Sequence, residues 1–186
     1  MGASGCGKTT TLRLVGGFLA PDAGTVMVDG VDVTRMAPEV RPTATVFQSY
    51  ALFPHLTVAG NVAYGLRQAG VGRAEADERV REMLDAVGLS GLAESRVSDI
   101  SGGQRQRVAL ARSLVLGPKV LLLDEPFSNL DANLRLRMRR EVRDIQRRFG
   151  VTMLFVTHDR EEAMAFGDRI ALMHEGSLVQ VGTRRE

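Results

Sequence analysis

Gly2, Ala3, Ser4, Gly5, Cys6, Gly7, Lys8 and Thr9 spell G-x-x-x-x-G-K-[ST], a spacing whose chemistry is the gripping of phosphate. Glycines accept backbone angles that curl successive N–H groups around an anion, Lys8 reaches the terminal phosphates, and Thr9 offers its hydroxyl to magnesium. The run opens a helix that includes Thr10, so the positive end of the helix dipole faces the same anion. Further along, Val120 to Leu123 is a continuous apolar run that ends in Asp124 and Glu125. A buried strand of this kind delivers both acids to one end of a sheet. Asp124 is placed to hold the metal, directly or through water, and Glu125 to polarise an attacking water.

Two polar residues gain meaning from their place after apolar runs. Gln48 follows Ala44 to Phe47, where an amide can touch the metal or the attacking water. His158 follows Met153 to Thr157, where an imidazole can donate to a transferring phosphoryl group. Ser101-Gly102-Gly103-Gln104 has the form of a capping box, in which serine and glutamine satisfy orphan N–H groups at a helix start. The paired glycines cost about 1 kcal/mol each in helix propensity and leave backbone N–H groups accessible, which suits an anion. A chain that already owns one phosphate loop has a use for a second anion site when it grips the nucleotide of another copy.

These groups need a scaffold. The chain has 186 residues, 44% hydrophobic and 25% charged, which fits one globular domain with a sizeable core. A net charge of +2 is too small to point to nucleic acid, and no apolar run is long enough to span a bilayer. The single cysteine, Cys6, excludes an internal disulfide. It reads first as a small loop filler; Lys8 and the helix start favour its thiolate, so alkylation is expected to block nucleotide binding. Met1-Gly2 starts like a myristoylation signal, but Cys6 stands where that pattern wants Ser or Thr. Leu14 to Ala20 is better explained by the helix than by export, which leaves the cytosol as the expected compartment.

Apolar periodicity predicts helices over Lys8–Val15, Val58–Gln68, Ala74–Val87, Gln104–Leu116 and Ala132–Phe149. Strands are expected at Thr25–Val28, Val31–Val33, Ala44–Phe47, Val120–Leu123, Met153–Val156, Ile170–Met173 and Leu178–Val181. The alternation implies an α/β fold with a mostly parallel sheet, its ligands at the carboxyl ends of the strands, and a helical insert over about 58–118. On the last long helix, Leu134, Met138, Val142, Ile145 and Phe149 form the apolar stripe. The arginines around it (Arg135, Arg137, Arg139, Arg140, Arg143, Arg147, Arg148) read as a solvated face rather than a nucleic-acid patch.

In this order the motifs resemble those of the ATP-binding subunit of an ABC transporter. They are the Walker A loop Gly2–Thr9, the Q-loop at Gln48, the signature Ser101–Gln104, the Walker B strand ending in Asp124 and Glu125, the D-loop Ser128-Asn129-Leu130-Asp131 and the switch His158. The signature is far more specific than the phosphate loop, which many NTPases share. The resemblance implies a P-loop NTPase of the ABC type that hydrolyses ATP with Mg2+, over a single domain 1–186. It implies a head-to-tail homodimer, or a pair with a paralogous subunit, in which two ATP molecules are sandwiched between one copy's Walker A and the other's signature. Glu125 is then the general base, and Asp131 communicates across the interface. Gln48 to Val58 resembles the importer segment that receives a membrane permease subunit, with exposed Tyr50, Leu52 and Phe53 as its docking surface. Thr157-His158-Asp159 with Glu161-Glu162-Ala163 is similar to importer ATPases for polyamines, ferric iron, sugars and phosphonates. Such a subunit sits peripherally on the cytoplasmic face of the membrane and serves an extracytoplasmic solute-binding protein indirectly.

The family's strand before the phosphate loop, and the aromatic residue that stacks on adenine, have no counterpart here. The chain therefore reads as truncated at both ends, with poor ATP affinity expected. Soluble ABC ATPases of repair or translation carry coiled-coil arms or a second cassette that this sequence lacks. A non-catalytic remnant is the other rival, and P-loop kinases have no use for Ser101–Gln104.

Overall fold

The computed structural model describes residues 1–128 and 131–185, with the side chains at 132 and 133 left out of the description. Asn129 and Leu130 of the D-loop therefore lie outside the described residues. Helix α1 (Lys8–Gly16) starts directly from the phosphate loop. It stops at Gly17, whose φ of 81° returns its N–H to Leu14 O. Arg41 is buried and donates to four carbonyls: Leu14 and Val15 at the end of α1, and Thr34 and Met36 in the turn that follows a small ribbon. That ribbon is the antiparallel pair β1 (Met27–Val28) and β2 (Val31–Asp32). A cation at the helix C-terminus is favourable to the dipole, so this one side chain closes α1 and fastens the ribbon to it.

The central sheet is parallel, in the order β3 (Thr43–Val46), β4 (Val120–Asp124), β5 (Thr152–Val156). β4 is in the middle, and its leucines are buried on both faces. Leu122 meets Leu12 of α1 and Val156, whereas Leu121 and Leu123 join the larger core opposite. The uninterrupted apolar run is what a central parallel strand requires, each buried leucine contributing roughly 2 kcal/mol. Helices α2 (Val58–Gln68), α3 (Arg73–Ala86) and α4 (Gly102–Leu114) pack together, and Val62, Leu66, Leu84 and Leu110 carry the same core from the sheet into them.

Helix α5 (Ala132–Phe149) buries Met138, Val142 and Ile145 as its stripe predicts, while Phe149 at its end stays exposed. Its arginines do more than solvate the surface. Arg139 pairs with Glu162 at 3.1 Å and Asp159 at 3.6 Å, and Arg135 lies 3.8 Å from Asp159. These acids belong to α6 (Arg160–Phe166), a seven-residue helix too short to show a period, whose Asp159 cap accepts Glu162 N–H. The chain then forms the antiparallel hairpin β6 (Arg169–His174) and β7 (Ser177–Thr183), separate from the central sheet. The expected elements are therefore present, displaced at their ends by one or two residues. Their sheet, however, is parallel only over β3, β4 and β5. Among the described residues no helix is long and apolar enough to cross a membrane.

Candidate phosphate and hydrolysis site

The phosphate loop is a bowl held from below. Gly5 (φ 79°) and Gly7 (φ 97°) take the left-handed geometry that a side chain would oppose, and Gly7 stands at the N-cap of α1 with no side chain capping it. Helices α2, α4, α5 and α6 each have a capping side chain: Thr57, Ser101, Asp131 and Asp159. The first turn of α1 therefore has no side-chain cap, as is also true of α3 at Gly72, and at the end of a glycine-rich loop such a helix start can accept an anion. Lys8 is buried and stretches across the bowl, donating to Gly2 O at 2.8 Å and Ala3 O at 2.7 Å. Ala3, Ser4, Gly5 and Thr10 are exposed along its rim.

The floor comes from a part of the chain that no motif pointed to. Met173 of β6 donates its N–H to Met1 O at 2.8 Å, and Gly176 N–H reaches Cys6 O at 3.2 Å. A methyl group on Gly2 would stand 2.3 Å from Met173 O and 2.6 Å from Cys6 Sγ, so this glycine serves close approach. Cys6 is itself buried, with Lys8 Nζ 3.9 Å from its sulfur. It is a packed side chain first, and its chemistry is sheltered.

At the carboxyl end of β4, Thr9 donates its hydroxyl to Asp124 Oδ1 at 3.1 Å, joining residues 115 apart in sequence. The two oxygens form a hard-donor pair suited to magnesium, which takes few protein ligands and keeps several waters. Among the described residues no cluster of three His, Cys, Asp or Glu forms, so no all-protein metal cage competes with that reading. Next to this pair, Glu125 has φ 45°, a left-handed conformation rare outside glycine. Its N–H still bonds Val156 O at 3.2 Å, extending the sheet, while its carbonyl accepts from both the N–H and the hydroxyl of Ser128. Its carboxylate meets His158 Nδ1 at 3.1 Å. Gln48 is exposed, and its amide donates to Ser128 Oγ at 3.0 Å. Ser128 therefore joins Gln48 to Glu125, a link the spacing of motifs did not reveal.

The signature stands apart from the bowl. Ser101 N–H donates to Gln104 Oε1 at 2.7 Å and Gln104 N–H to Ser101 Oγ at 3.3 Å, so the capping box is complete within α4 and Ser101 is exposed. Gly103 is needed for packing, since a methyl there would stand 3.2 Å from Met138 Sδ. Gly102 has open space around it, its nearest neighbour being Arg105 Nη2 at 3.8 Å. Asp131 caps α5 by accepting Leu134 N–H at 2.9 Å. Tyr50, Leu52 and Phe53, expected to be exposed, are half-buried, because Tyr50 and Leu52 pack on the core and the Phe53 ring lies 4.4 Å from that of Tyr64.

The chain resembles known proteins over its whole length. Over its full length the chain is 54% identical to the Fe(3+) ions import ATP-binding protein FbpC of Rhizobium etli, covering 53% of that protein. It is equally 54% identical to the spermidine/putrescine import ATP-binding protein PotA of Hahella chejuensis, covering 51% of it. To the Fe(3+) ions import ATP-binding protein FbpC 1 of Haemophilus influenzae it is 53% identical, covering 57%. The chain spans about half the length of these relatives. A family model described as ABC transporter matches residues 1–128, the stretch that holds the bowl, Gln48, Ser101–Gln104, Asp124 and Glu125. On that match and these identities, the chain belongs to the ABC transporter family.

Proposed function

We propose that this chain binds and hydrolyses ATP to power solute import, by closing a dimer on two nucleotides and reopening after hydrolysis. The observation that carries the reading is the convergence of Thr9 on Asp124 and of His158 on Glu125 beside the uncapped start of α1. The loop N–H groups and Lys8 hold the β- and γ-phosphates, the ammonium exchanging its two carbonyl partners for phosphate oxygens. Thr9 and Asp124, with Gln48, would hold magnesium. A metal held there would supply Lewis-acid stabilisation of the charge on the transferred group. Glu125 takes the proton of the attacking water. His158, donating Nδ1–H to the carboxylate, orients that base; only its imidazolium form can also donate from Nε2 to a phosphate oxygen.

The second half of each nucleotide site comes from Ser101–Gln104 of a sister or paralogous subunit, with Asp131 at the same interface. What supports this is the exposure of Ser101 and the open space around Gly102. Binding both faces of the dimer to ATP supplies the closing free energy, and hydrolysis removes it. The 48–58 segment is the docking site for a membrane permease subunit, which places the protein peripherally on the cytoplasmic face. A solute-binding protein is engaged only through that permease. Equal identity to proteins named for iron and for polyamines is what a shared motor predicts, because the cargo is recognised by other subunits.

The test is Glu125→Gln in a full-length subunit with its permease. Steady-state hydrolysis should fall at least about a hundredfold, as expected for loss of a general base, while an ATP-held dimer persists in size-exclusion chromatography. Hydrolysis that survives would remove Glu125 from the role of base, and failure of the variant to dimerise with ATP would count against the sandwich.

A further inference from the structure

Between β3 and α2 lies a strained stretch of backbone. Tyr50 (φ 62°) and Ala51 (φ 46°) are the only consecutive non-glycine residues in the left-handed region among those described. Such geometry persists only where the surroundings impose it, and it is characteristic of clamps and switch segments. Here both carbonyls fall on one side chain. Arg112 of α4 donates Nη1–H to Ala51 O at 2.6 Å and Nη2–H to Tyr50 O at 2.9 Å, and its guanidinium lies 5.5 Å from the centroid of the Phe53 ring.

The charge of Arg112 meets two carbonyl dipoles and a ring face. Burial pushes the guanidinium below its ordinary pKa and the neighbouring Tyr50 phenol above its own. The segment is tied to α2 as well. The fully buried Asn61 accepts from Phe53 N–H at 2.8 Å and donates to Phe53 O at 3.1 Å. Tyr50 also reaches α4, its hydroxyl 3.5 Å from Gln106, which in turn donates to Pro126 O just after Glu125.

We propose that Arg112 is a latch: it holds Tyr50 and Ala51 in their left-handed turn, gives the 48–58 segment the shape its partner reads, and fastens that segment to the helix that begins at Ser101. A push on the segment is then a push on α4. Arg112 is a positioning residue, since it touches neither the phosphate bowl nor Glu125. That the partner is a permease rests on the function proposed above; the latch itself is measured without nucleotide or membrane subunits, so each can fail alone.

The experiment is single-amide hydrogen exchange by NMR on this chain, with Arg112→Met, Arg112→Lys, Ala51→Gly and the Arg112→Met/Ala51→Gly pair. The reporters are the Tyr50 N–H, bonded to Phe47 O at 2.8 Å, and the Phe53 N–H; the β4 amides are the reference. Arg112→Met should speed exchange at both reporters by about tenfold or more while the β4 amides hold their rate, as local opening requires. Lysine, a point donor in place of a fork, should give an intermediate rate. Glycine at 51 accepts left-handed angles freely, so the double variant should regain most of the protection. Should Arg112→Met not fold, the lysine variant with and without Ala51→Gly reads the same rescue. Unchanged reporters in Arg112→Met, a rise shared equally by β4, or no rescue by glycine would each overturn the proposal.

Discussion

Replacing Arg139 by methionine isolates the charge that secures the helix after His158. The Arg139 side chain is 13% exposed and that of Glu162 5%, and they meet at 3.1 Å. Removing one partner of a buried pair costs about 3–5 kcal/mol, because the other charge is left without its counterion. One credit is visible in the structure: Arg139 Nε is buried with no hydrogen-bond partner, and the variant abolishes that orphan, returning about 1 kcal/mol. The net expectation is about 2–4 kcal/mol, which for a chain of this size lowers the melting temperature by roughly 10 °C. Circular dichroism melts at neutral pH measure it. Arg139→Met paired with Glu162→Leu should recover most of the loss, since a buried ion pair exchanged for apolar side chains is close to neutral. If the single and double variants melt at the same reduced temperature, the Glu162 charge left without its counterion is not the cost, and the electrostatic reasoning fails. The same variant bears on the site, because Asp159 and Glu162 form the first turn of α6, directly after His158. ATP hydrolysis by folded Arg139→Met in a full-length subunit should therefore fall as well.

Gly2→Ala puts a methyl group 2.3 Å from Met173 O, a backbone atom that yields only if the bowl moves; it should cost about 1–3 kcal/mol in urea unfolding and weaken nucleotide binding, and a neutral substitution would show that β6 is not the floor of the loop. Glu125→Gly should melt above Glu125→Ala by about 1 kcal/mol in stability, because glycine accepts φ 45° without strain; equal melting points would mean the left-handed turn is not a cost. Native thiol labelling of Cys6, which is 5% exposed, should proceed at the rate of local opening and not at that of a free thiol; rapid stoichiometric labelling in native buffer would contradict the buried placement.

What the sequence made legible was whatever follows from local rules. The phosphate loop, the apolar strand ending in two acids, and the serine–glutamine cap each announce themselves within about ten residues, and their hydrogen bonds are in place in the structure. The motifs did not announce the supports that reach across the chain. Met173, Arg41, Ser128, Arg112 and Arg139 are single residues of ordinary type, and each becomes significant only when folding brings it against a carbonyl, a carboxylate or, for Ser128, the Gln48 amide far away in sequence. The arginines of α5 show why. A stripe of positive charge looks the same in sequence whether it faces water or a neighbouring acid, and only α6, too short for a periodic signal, distinguishes the two.

The two signature glycines divide between different uses. Two glycines at a helix start suggested backbone held open for an anion, and Gly102 fits that use, with nothing closer than 3.8 Å to a methyl group added there. Gly103 does not: it admits Met138 of α5 at 3.2 Å from where its own side chain would be. One glycine therefore leaves open space beside it, which the proposed partner's phosphate would use, and the next lets α5 close in from behind. Substitution separates them. Gly102→Ala should leave the melting temperature near the parent's and reduce only ATP-driven dimerisation, whereas Gly103→Ala should lower stability by about 1 kcal/mol or more through the crowded Met138 contact. If both variants lose stability equally, the outward-facing role of Gly102 is wrong, and the sandwich loses the structural support that this pair of residues provides.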